Sequence, residues 1–218
     1  MRLLLTSNGL SNQSIANTLF DLVGKPAEEI SVVYIPTASN VEMGDKDWMI
    51  NDILNLYKQN FKQIDIADIS AVPESIWRPK FETADVMFFE GGNAFHLMRW
   101  IQKSGLRDLL PEYMKSKVWV GVSAGSMVTN KDLSLKFSQE IYGEDLNETE
   151  NLAGLKYVDF YFLPHLNSEY FTKLRKENIE KVAQGFKEKI YALDNNSALK
   201  IIDENIEIIS EGEYLELN

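Results

Sequence analysis

The sequence predicts one α/β domain, covering residues 1–218, in which helices flank a mainly parallel central sheet in three layers. Short apolar runs alternate with helix-like segments from residue 3 to residue 122, which is typical of β-α-β units. A length of 218 residues suffices for one sizeable core but is short for two domains. Neither a linker nor an internal repeat interrupts this pattern.

Strands and helices follow one another in the first part of the chain. The strand runs are rich in β-branched and aromatic residues, and residues 61–69 alternate apolar and polar side chains as a half-buried strand does. The helical segments repeat apolar residues every three or four positions. A link that contains Pro73 and Pro79 separates two of these units. Strands are predicted at residues 3–5, 30–35, 61–69, 86–89 and 118–122, and helices at residues 14–23, 47–57, 94–103 and 106–114.

The second part of the chain has a different pattern. Residues 131–150 are polar and interrupted by glycine, which predicts a lid or a long loop. A strand at residues 158–163 precedes an amphipathic helix at residues 170–186. Short closing strands, arranged as antiparallel hairpins, are predicted at residues 191–193, 198–202, 206–209 and 214–217.

Composition excludes several classes of function. The absence of cysteine excludes disulfides, thiolate metal sites and a cysteine nucleophile. A net charge of −11 without a basic cluster disfavours nucleic acid as a partner, and an anionic substrate would need a local cation. No run approaches the ~18 apolar residues of a membrane span, and the apolar run at the N-terminus is too short for a signal peptide. We therefore expect a cytoplasmic protein with no membrane partner.

Residues 117–126 contain the strongest single motif. An apolar strand runs into Gly-Val-Ser-Ala-Gly at residues 121–125, and a plausible helix start follows. This is the strand–turn–helix order of a nucleophile elbow, in which the Ser123 hydroxyl stands above a sheet. Gly121 and Gly125 would leave room for neighbouring backbone. Because G-x-S-x-G also occurs in plain glycine-rich turns, the interpretation depends on the other motifs.

A serine hydroxyl needs a base to take its proton, and the chain offers only two histidines. His96 shares a polar helix face with Arg99 and Lys103, so we expect it to be solvated. His165 follows a buried strand, where its side chain can face the same crevice as Ser123. The alternative is a strand-end histidine bonded to backbone. His165 is the candidate base, and its position after Ser123, with any acid following both, argues against an α/β-hydrolase.

Polar or glycine-rich turns follow several strands, at the edge where α/β sheets bind ligands. The backbone amide of Ala124 is predicted to donate to the oxyanion of an acyl-transfer reaction, and the glycines at 91 and 92 can offer a second N–H. The alternative for residues 91–93 is an ordinary β–α turn capped by Asn93. Asn8 and Asn93, each in one of these turns, are candidate substrate-binding residues.

Three motifs occur in a fixed order: Phe-Phe-Glu-Gly-Gly-Asn at residues 88–93, Gly-Val-Ser-Ala-Gly-Ser at 121–126 and Leu-Pro-His-Leu-Asn at 163–167. Together they resemble peptidase E, the aspartyl dipeptidase, and its relatives the cyanophycinases, which are serine peptidases with a glutamine-amidotransferase-like (flavodoxin-like) fold. Residues 32–38, Val-Val-Tyr-Ile-Pro-Thr-Ala, resemble the second strand of that family. The resemblance runs over most of the chain and implies Ser123 as nucleophile, His165 as general base, and Gly92 and Ala124 as oxyanion donors.

The resemblance also implies an arginine that holds the aspartate side chain of the substrate. Arg175 matches it, and a guanidinium can bind a carboxylate through two parallel hydrogen bonds. The alternative is a solvated basic helix face. Relatives often place an acid where this chain has Asn195, with Asp194 one residue earlier. Adjacent extended residues point to opposite sides, so only one of the two is expected to face His165.

These residues predict a cytoplasmic serine-type dipeptidase for small peptides, Asp-X dipeptides in particular, that needs neither metal nor cofactor. One alternative is a cyanophycinase-like isopeptidase that uses the same site. Another is a catalytically weakened or inactive binding protein of the same fold, which Asn195 at the third position favours. The resemblance makes a homodimer a further expectation.

Overall fold

The computed structural model describes residues 1–144 and 147–218 and contains a seven-stranded sheet in the order β3-β2-β4-β5-β1-β8-β9. The first five strands of this order run parallel, and β8 and β9 are antiparallel additions. Its strands are β1 (Arg2–Thr6), β2 (Ser31–Ile35), β3 (Gln63–Ile66), β4 (Val86–Phe89), β5 (Val118–Val122), β8 (Ser197–Ile202) and β9 (Asn205–Ser210). The predicted mainly parallel α/β fold with closing antiparallel strands is confirmed.

Helices cover both faces of this sheet, and each face has its own apolar core. The two cores alternate along every central strand: Leu3 and Leu5 of β1 belong to one, and Leu4 belongs to the other. Side chains in a strand point alternately to opposite faces. Because both faces of this sheet are buried, its central strands require continuous apolar runs. The helices are α1 (Gln13–Val23), α2 (Asp47–Lys58), α3 (Glu74–Thr83), α4 (Ala94–Lys103), α5 (Leu106–Tyr113), α6 (Ala124–Met127), α7 (Leu135–Phe137) and α8 (Lys176–Ala183).

A second, three-stranded sheet of β6 (Tyr161–Pro164), β7 (Ile190–Leu193) and β10 (Tyr214–Leu217) was not predicted as a separate unit. In it β6 runs parallel to β7, and β10 is antiparallel to β7. A third apolar cluster joins this sheet to α8 and to the turns at residues 135–142. The sheet places the end of β6 beside the end of β1, which brings His165 to the edge of the main sheet.

Three of the predicted elements are wrong in part. The link containing Pro73 and Pro79 is helix α3, in which Trp77 and Phe81, one turn apart, are both buried. The free energy gained by burying these two side chains offsets the cost of the helical hydrogen bond that Pro79, which has no N–H, cannot form. The half-buried strand predicted at residues 61–69 is only the four residues of β3. The helix predicted at residues 170–186 is only α8, because Arg175 is extended and precedes its first turn.

Residues 131–150 were predicted to form a lid or a long loop. They contain α7 and a π-helical turn at Ser138–Tyr142, and residues 145 and 146 lie outside the described part of the chain. Phe137 and Ile141 are buried in the third apolar cluster. Among the described residues, no helix has the length and apolar character needed to cross a bilayer.

Candidate active site

Ser123 stands at the sharp turn between β5 and α6. Its backbone has φ 46° and ψ −106°, a region that residues with a side chain rarely adopt. The turn is tight: a Cβ on Gly121 would lie 2.5 Å from the carbonyl oxygen of Gly125, and one on Gly125 would overlap the carbonyl oxygen of Phe89. Only glycine permits these approaches. These close approaches explain both glycines of the motif.

His165 lies directly after β6, with its imidazole beside Ser123. The distance from Nε2 of His165 to Oγ of Ser123 is 3.1 Å. The backbone N–H of His165 donates to Oγ of Ser7 over 3.1 Å, and the Ser7 hydroxyl donates to the carbonyl of Leu193 over 2.8 Å. Phe171 stacks on the imidazole with ring centroids 5.1 Å apart. Contacts from both sheets therefore hold two side chains 42 positions apart in the chain within hydrogen-bond distance.

Asn195 occupies the position next to the other ring nitrogen. Its Oδ1 lies 2.7 Å from Nδ1 of His165. Because an amide oxygen can only accept, this contact favours a proton on Nδ1, which leaves Nε2 free to accept the proton of Ser123. The Ser11 hydroxyl donates to the backbone carbonyl of Asn195 over 2.6 Å and holds the turn between β7 and β8 in place.

Asp194, the other candidate, is not brought to the imidazole. Its carboxylate accepts from the backbone N–H groups of Asn196 and Glu213, over 2.9 and 2.7 Å, and from the Ser197 hydroxyl over 2.6 Å. The Asp194 carboxylate therefore stabilises the turn between β7 and β8 and links this turn to Glu213. The two adjacent side chains diverge, as predicted, and the amide rather than the carboxylate meets His165.

The environment of His165 sets its protonation. Burial lowers the pKa of the imidazole, and the contact with Asn195 only partly opposes this effect. Desolvation disfavours the charged imidazolium, whereas an amide has no net charge with which to stabilise it. His165 is consequently neutral at pH 7, which is the form that can accept a proton.

The glycines after β4 border the same space as Ser123. The N–H of Gly91 donates to Oε1 of Glu90 over 2.9 Å, so it is already engaged. Gly92 has φ +122°, and a Cβ there would overlap the Ala38 carbonyl, so a side chain is excluded at this position. Ala124 is the first residue of α6, where backbone N–H groups have no partner within the helix. Gly92 and Ala124 stay the predicted oxyanion donors.

The three predicted substrate-binding residues have different surroundings. Asn8 lines the cavity at Ser123. Asn93 is the N-cap of α4, where its Oδ1 accepts from the His96 N–H over 2.8 Å, and it does not line that cavity in the described part of the chain. Arg175 also lies outside the lining: its Nη1 donates to the backbone carbonyls of residues 168, 171 and 174 over 3.0, 3.4 and 3.0 Å.

Replacing Asn93 with alanine is expected to lower the free energy of unfolding by about 1 kcal/mol, because a helix N-cap is lost. Asn93→Asp, which can still accept at the cap, should retain most of the stability. Urea denaturation measures both variants, and Asn12→Ala, which removes the equivalent cap of α1, is the matched comparison. An Asn93→Ala protein as stable as the wild type would show that the cap contributes nothing.

The prediction that His96 is solvated is wrong. Its side chain is half-buried, and its Nε2 is buried without a hydrogen-bond partner among the described residues. Burial is the main cause that lowers its pKa. The helix face shared with Arg99 gave a misleading signal, because the Trp100 ring lies one turn along the same helix, with its centroid 6.3 Å from that of the imidazole.

The cavity at Ser123 and His165 has a volume of about 480 Å³. Sequence reasoning missed several of its lining residues, among them Trp48, Asp52, Glu90 and Tyr142. Two features of the sequence could have indicated buried acids at this site. Glu90 is a charged residue directly after an apolar strand, and Asp52 lies one turn before Leu56, on the buried face of α2. Within residues 1–144 and 147–218, no group of three or more His, Asp or Glu side chains has the geometry to hold a metal ion.

The chain is similar in sequence and in fold to known peptidases. The sequence model of peptidase family S51 matches residues 3–209. An uncharacterized peptidase of Pasteurella multocida is 24% identical over 176 residues, which are 80% of this chain and 82% of that protein. Peptidase E of Shewanella oneidensis is 28% identical over 137 residues, 62% of this chain and 53% of its own. A crystal structure of a provisionally assigned peptidase E from Listeria monocytogenes superposes with a TM-score of 0.78 at 25% identity, over 97% of this chain and 98% of that one.

Proposed function

The chain belongs to peptidase family S51 and is a serine peptidase, and from this premise we propose that Ser123 and His165 hydrolyse short peptides, dipeptides above all, through an acyl-enzyme. The observation that carries this proposal is the 3.1 Å distance between Oγ of Ser123 and Nε2 of His165. A nucleophile and its base act within ~2.6–3.2 Å of each other. The cavity volume of about 480 Å³ suits a small molecule better than a folded protein segment.

The proposed reaction has two halves. Ser123 Oγ attacks the scissile carbonyl carbon while Nε2 of His165 takes the hydroxyl proton. The amides of Gly92 and Ala124 donate to the oxyanion, and His165 then gives its proton to the leaving amine as the C–N bond breaks. Water attacks the ester with His165 again as base, which releases the carboxylic acid and restores the serine.

Asn195 favours a second candidate function, small-molecule binding without turnover. An amide beside Nδ1 orients the imidazole but does not neutralise the imidazolium that forms during attack. Cysteine peptidases of the papain type work with an asparagine in this place, although their nucleophile is more easily ionised. We favour hydrolysis, because the tautomer that Asn195 selects is the one the reaction needs.

The preference for Asp-X dipeptides is the finer part of the prediction, and it depends on Arg175. That guanidinium donates to three backbone carbonyls and does not line the cavity in the described part of the chain. The lining instead includes several carboxyl groups. The geometry therefore gives the Asp-X preference no support, and the proposal is a dipeptidase without that preference.

A serine-reactive phosphonate tests the nucleophile without knowledge of the substrate. We expect mass spectrometry to find the wild-type protein labelled on the peptide that contains Ser123, and labelling to be lost in His165→Ala. Ser75→Ala, at an exposed serine of α3, is the control and should be labelled like the wild type. Incubation with Ala-Leu and Asp-Leu then tests hydrolysis. Unlabelled wild-type protein that also leaves both dipeptides intact would support binding without turnover.

A further inference from the structure

The cavity beside Ser123 is acidic. Five of its lining residues carry a carboxyl group, and within the described part of the chain no lysine or arginine lines it. The lining acids are Glu42, Asp45, Asp52, Glu90 and Glu144. Two of them, Asp52 and Glu90, differ from ordinary surface acids because their side chains are almost completely buried.

Glu90 has an unsatisfied oxygen. The residue is 0% exposed, and its Oε1 accepts from the Gly91 N–H over 2.9 Å. Its Oε2 is buried with no hydrogen bond among the described residues, although the side chain lines the cavity. Two buried polar groups interact with this carboxyl: the Asp52 carboxyl, and the Tyr34 hydroxyl, which also has no hydrogen bond in the described part of the chain. Burying a polar atom without a partner is costly, and such atoms usually have a ligand, an ion or water beside them.

Asp52 is the second buried carboxyl. It projects from α2, is 3% exposed, and its Oδ1 would lie 3.0 Å from a Cβ on Gly9. The turn after β1 thus needs a glycine where this carboxyl packs. Neither Asp52 nor Glu90 forms an ion pair within residues 1–144 and 147–218.

The two carboxyls influence each other. Burial raises the pKa of Asp52 to about 6. Burial, followed by the charge of Asp52, raises the pKa of Glu90 well above its ordinary value. Each carboxyl therefore disfavours ionisation of the other, and a negative charge on either one lies buried beside the cavity. A positive group of a ligand would compensate this charge.

Glu90 lies next to Ser123, and Asp52 lines the same cavity. The Glu90 carboxyl is folded back on the N–H of Gly91, and a Cβ on Gly91 would lie 3.3 Å from Cβ of Ser123. The same point is 3.7 Å from the ring of Trp48, which lines the cavity. An aromatic ring in a cavity lined by carboxyl groups suits an organic cation.

We propose that Asp52 and Glu90 form the binding site for a cationic group, an ammonium or a guanidinium, on the peptide residue whose carbonyl Ser123 attacks. The inference rests on the proposed function, because it takes Ser123 as the acylated residue. Two sources supply this chemistry: the α-ammonium of the substrate's first residue, or a lysine or arginine side chain on that residue.

Calorimetric titration of Ser123→Ala distinguishes these sources without turnover. The ligands are Ala-Leu, acetyl-Ala-Leu, Lys-Leu and acetyl-Lys-Leu. We expect at least one ligand with a positive group to bind about tenfold or more tightly than acetyl-Ala-Leu, as charge-assisted hydrogen bonds allow. A preference for Ala-Leu assigns the α-ammonium, and a preference for acetyl-Lys-Leu assigns the side chain.

The preference should fall to within about twofold when Glu90→Gln or Asp52→Asn is added. Glu90→Gln keeps the acceptor for Gly91, so the loop is retained, and circular dichroism checks the fold. Glu204→Gln, at an exposed acid in the β8–β9 turn, should leave the preference unchanged. Equal binding of all four ligands, or a preference that survives both substitutions, would overturn the proposal. Phosphonate labelling of Ser123 tests the proposed function separately.

Discussion

Ser123→Ala and His165→Ala are each expected to lower kcat for a hydrolysed dipeptide by on the order of 10⁴-fold or more, and the double variant should lose no more than either single one. In the proposed mechanism the two side chains act as one unit, because the hydroxyl is a poor nucleophile unless the imidazole, 3.1 Å away, takes its proton. Steady-state kinetics of the four proteins measures the effect.

Ser75→Ala is again the matched control for this set, since it removes an exposed hydroxyl from α3 and should keep wild-type kcat. Multiplicative losses in the double variant would mean that Ser123 and His165 act independently. Retention of most activity in either single variant would remove the proposed mechanism.

Asn195→Asp is expected to raise kcat/KM about 100-fold, because a carboxylate 2.7 Å from Nδ1 would stabilise the imidazolium that forms during attack. The gain should stay below the roughly 10⁴-fold that Asp→Asn costs in chymotrypsin-type enzymes, where the tautomer is also wrong. In the wild-type protein burial lowers the pKa of His165, so activity should persist below pH 6.5. The new carboxylate raises that pKa, which moves the acidic limb of kcat/KM to higher pH.

A profile of kcat/KM from about pH 4.5 to pH 9 measures both effects. Asp194→Asn is the comparison: it removes an acid that contacts residues 196, 197 and 213 rather than the imidazole, so the acidic limb should stay in place. An Asn195→Asp enzyme that is no faster and has an unmoved limb would show that residue 195 does not orient His165.

The bounds of the central strands β4 and β5 and the sharp turn at Ser123 were accessible from sequence for a local reason. A strand buried on both faces must be apolar throughout, and β4 and β5 have the predicted bounds. The glycines on both sides of Ser123 are required by contacts within the same turn and its neighbouring strand. Helix α3 was missed because buried Trp77 and Phe81 outweigh the local cost of Pro79.

The sequence by itself determined the α/β fold, the place of Ser123 in a sharp turn between a strand and a helix, and the place of His165 after a strand, because buried strands and tight turns leave patterns in consecutive residues. Only the tertiary structure decided that Asn195 rather than Asp194 meets the imidazole, that Arg175 turns to backbone carbonyls, and that Asp52 and Glu90 share one cavity. Those outcomes depend on how two sheets and helix α2 are placed against each other. Contacts between segments tens of residues apart set that placement, and no single stretch of sequence contains it.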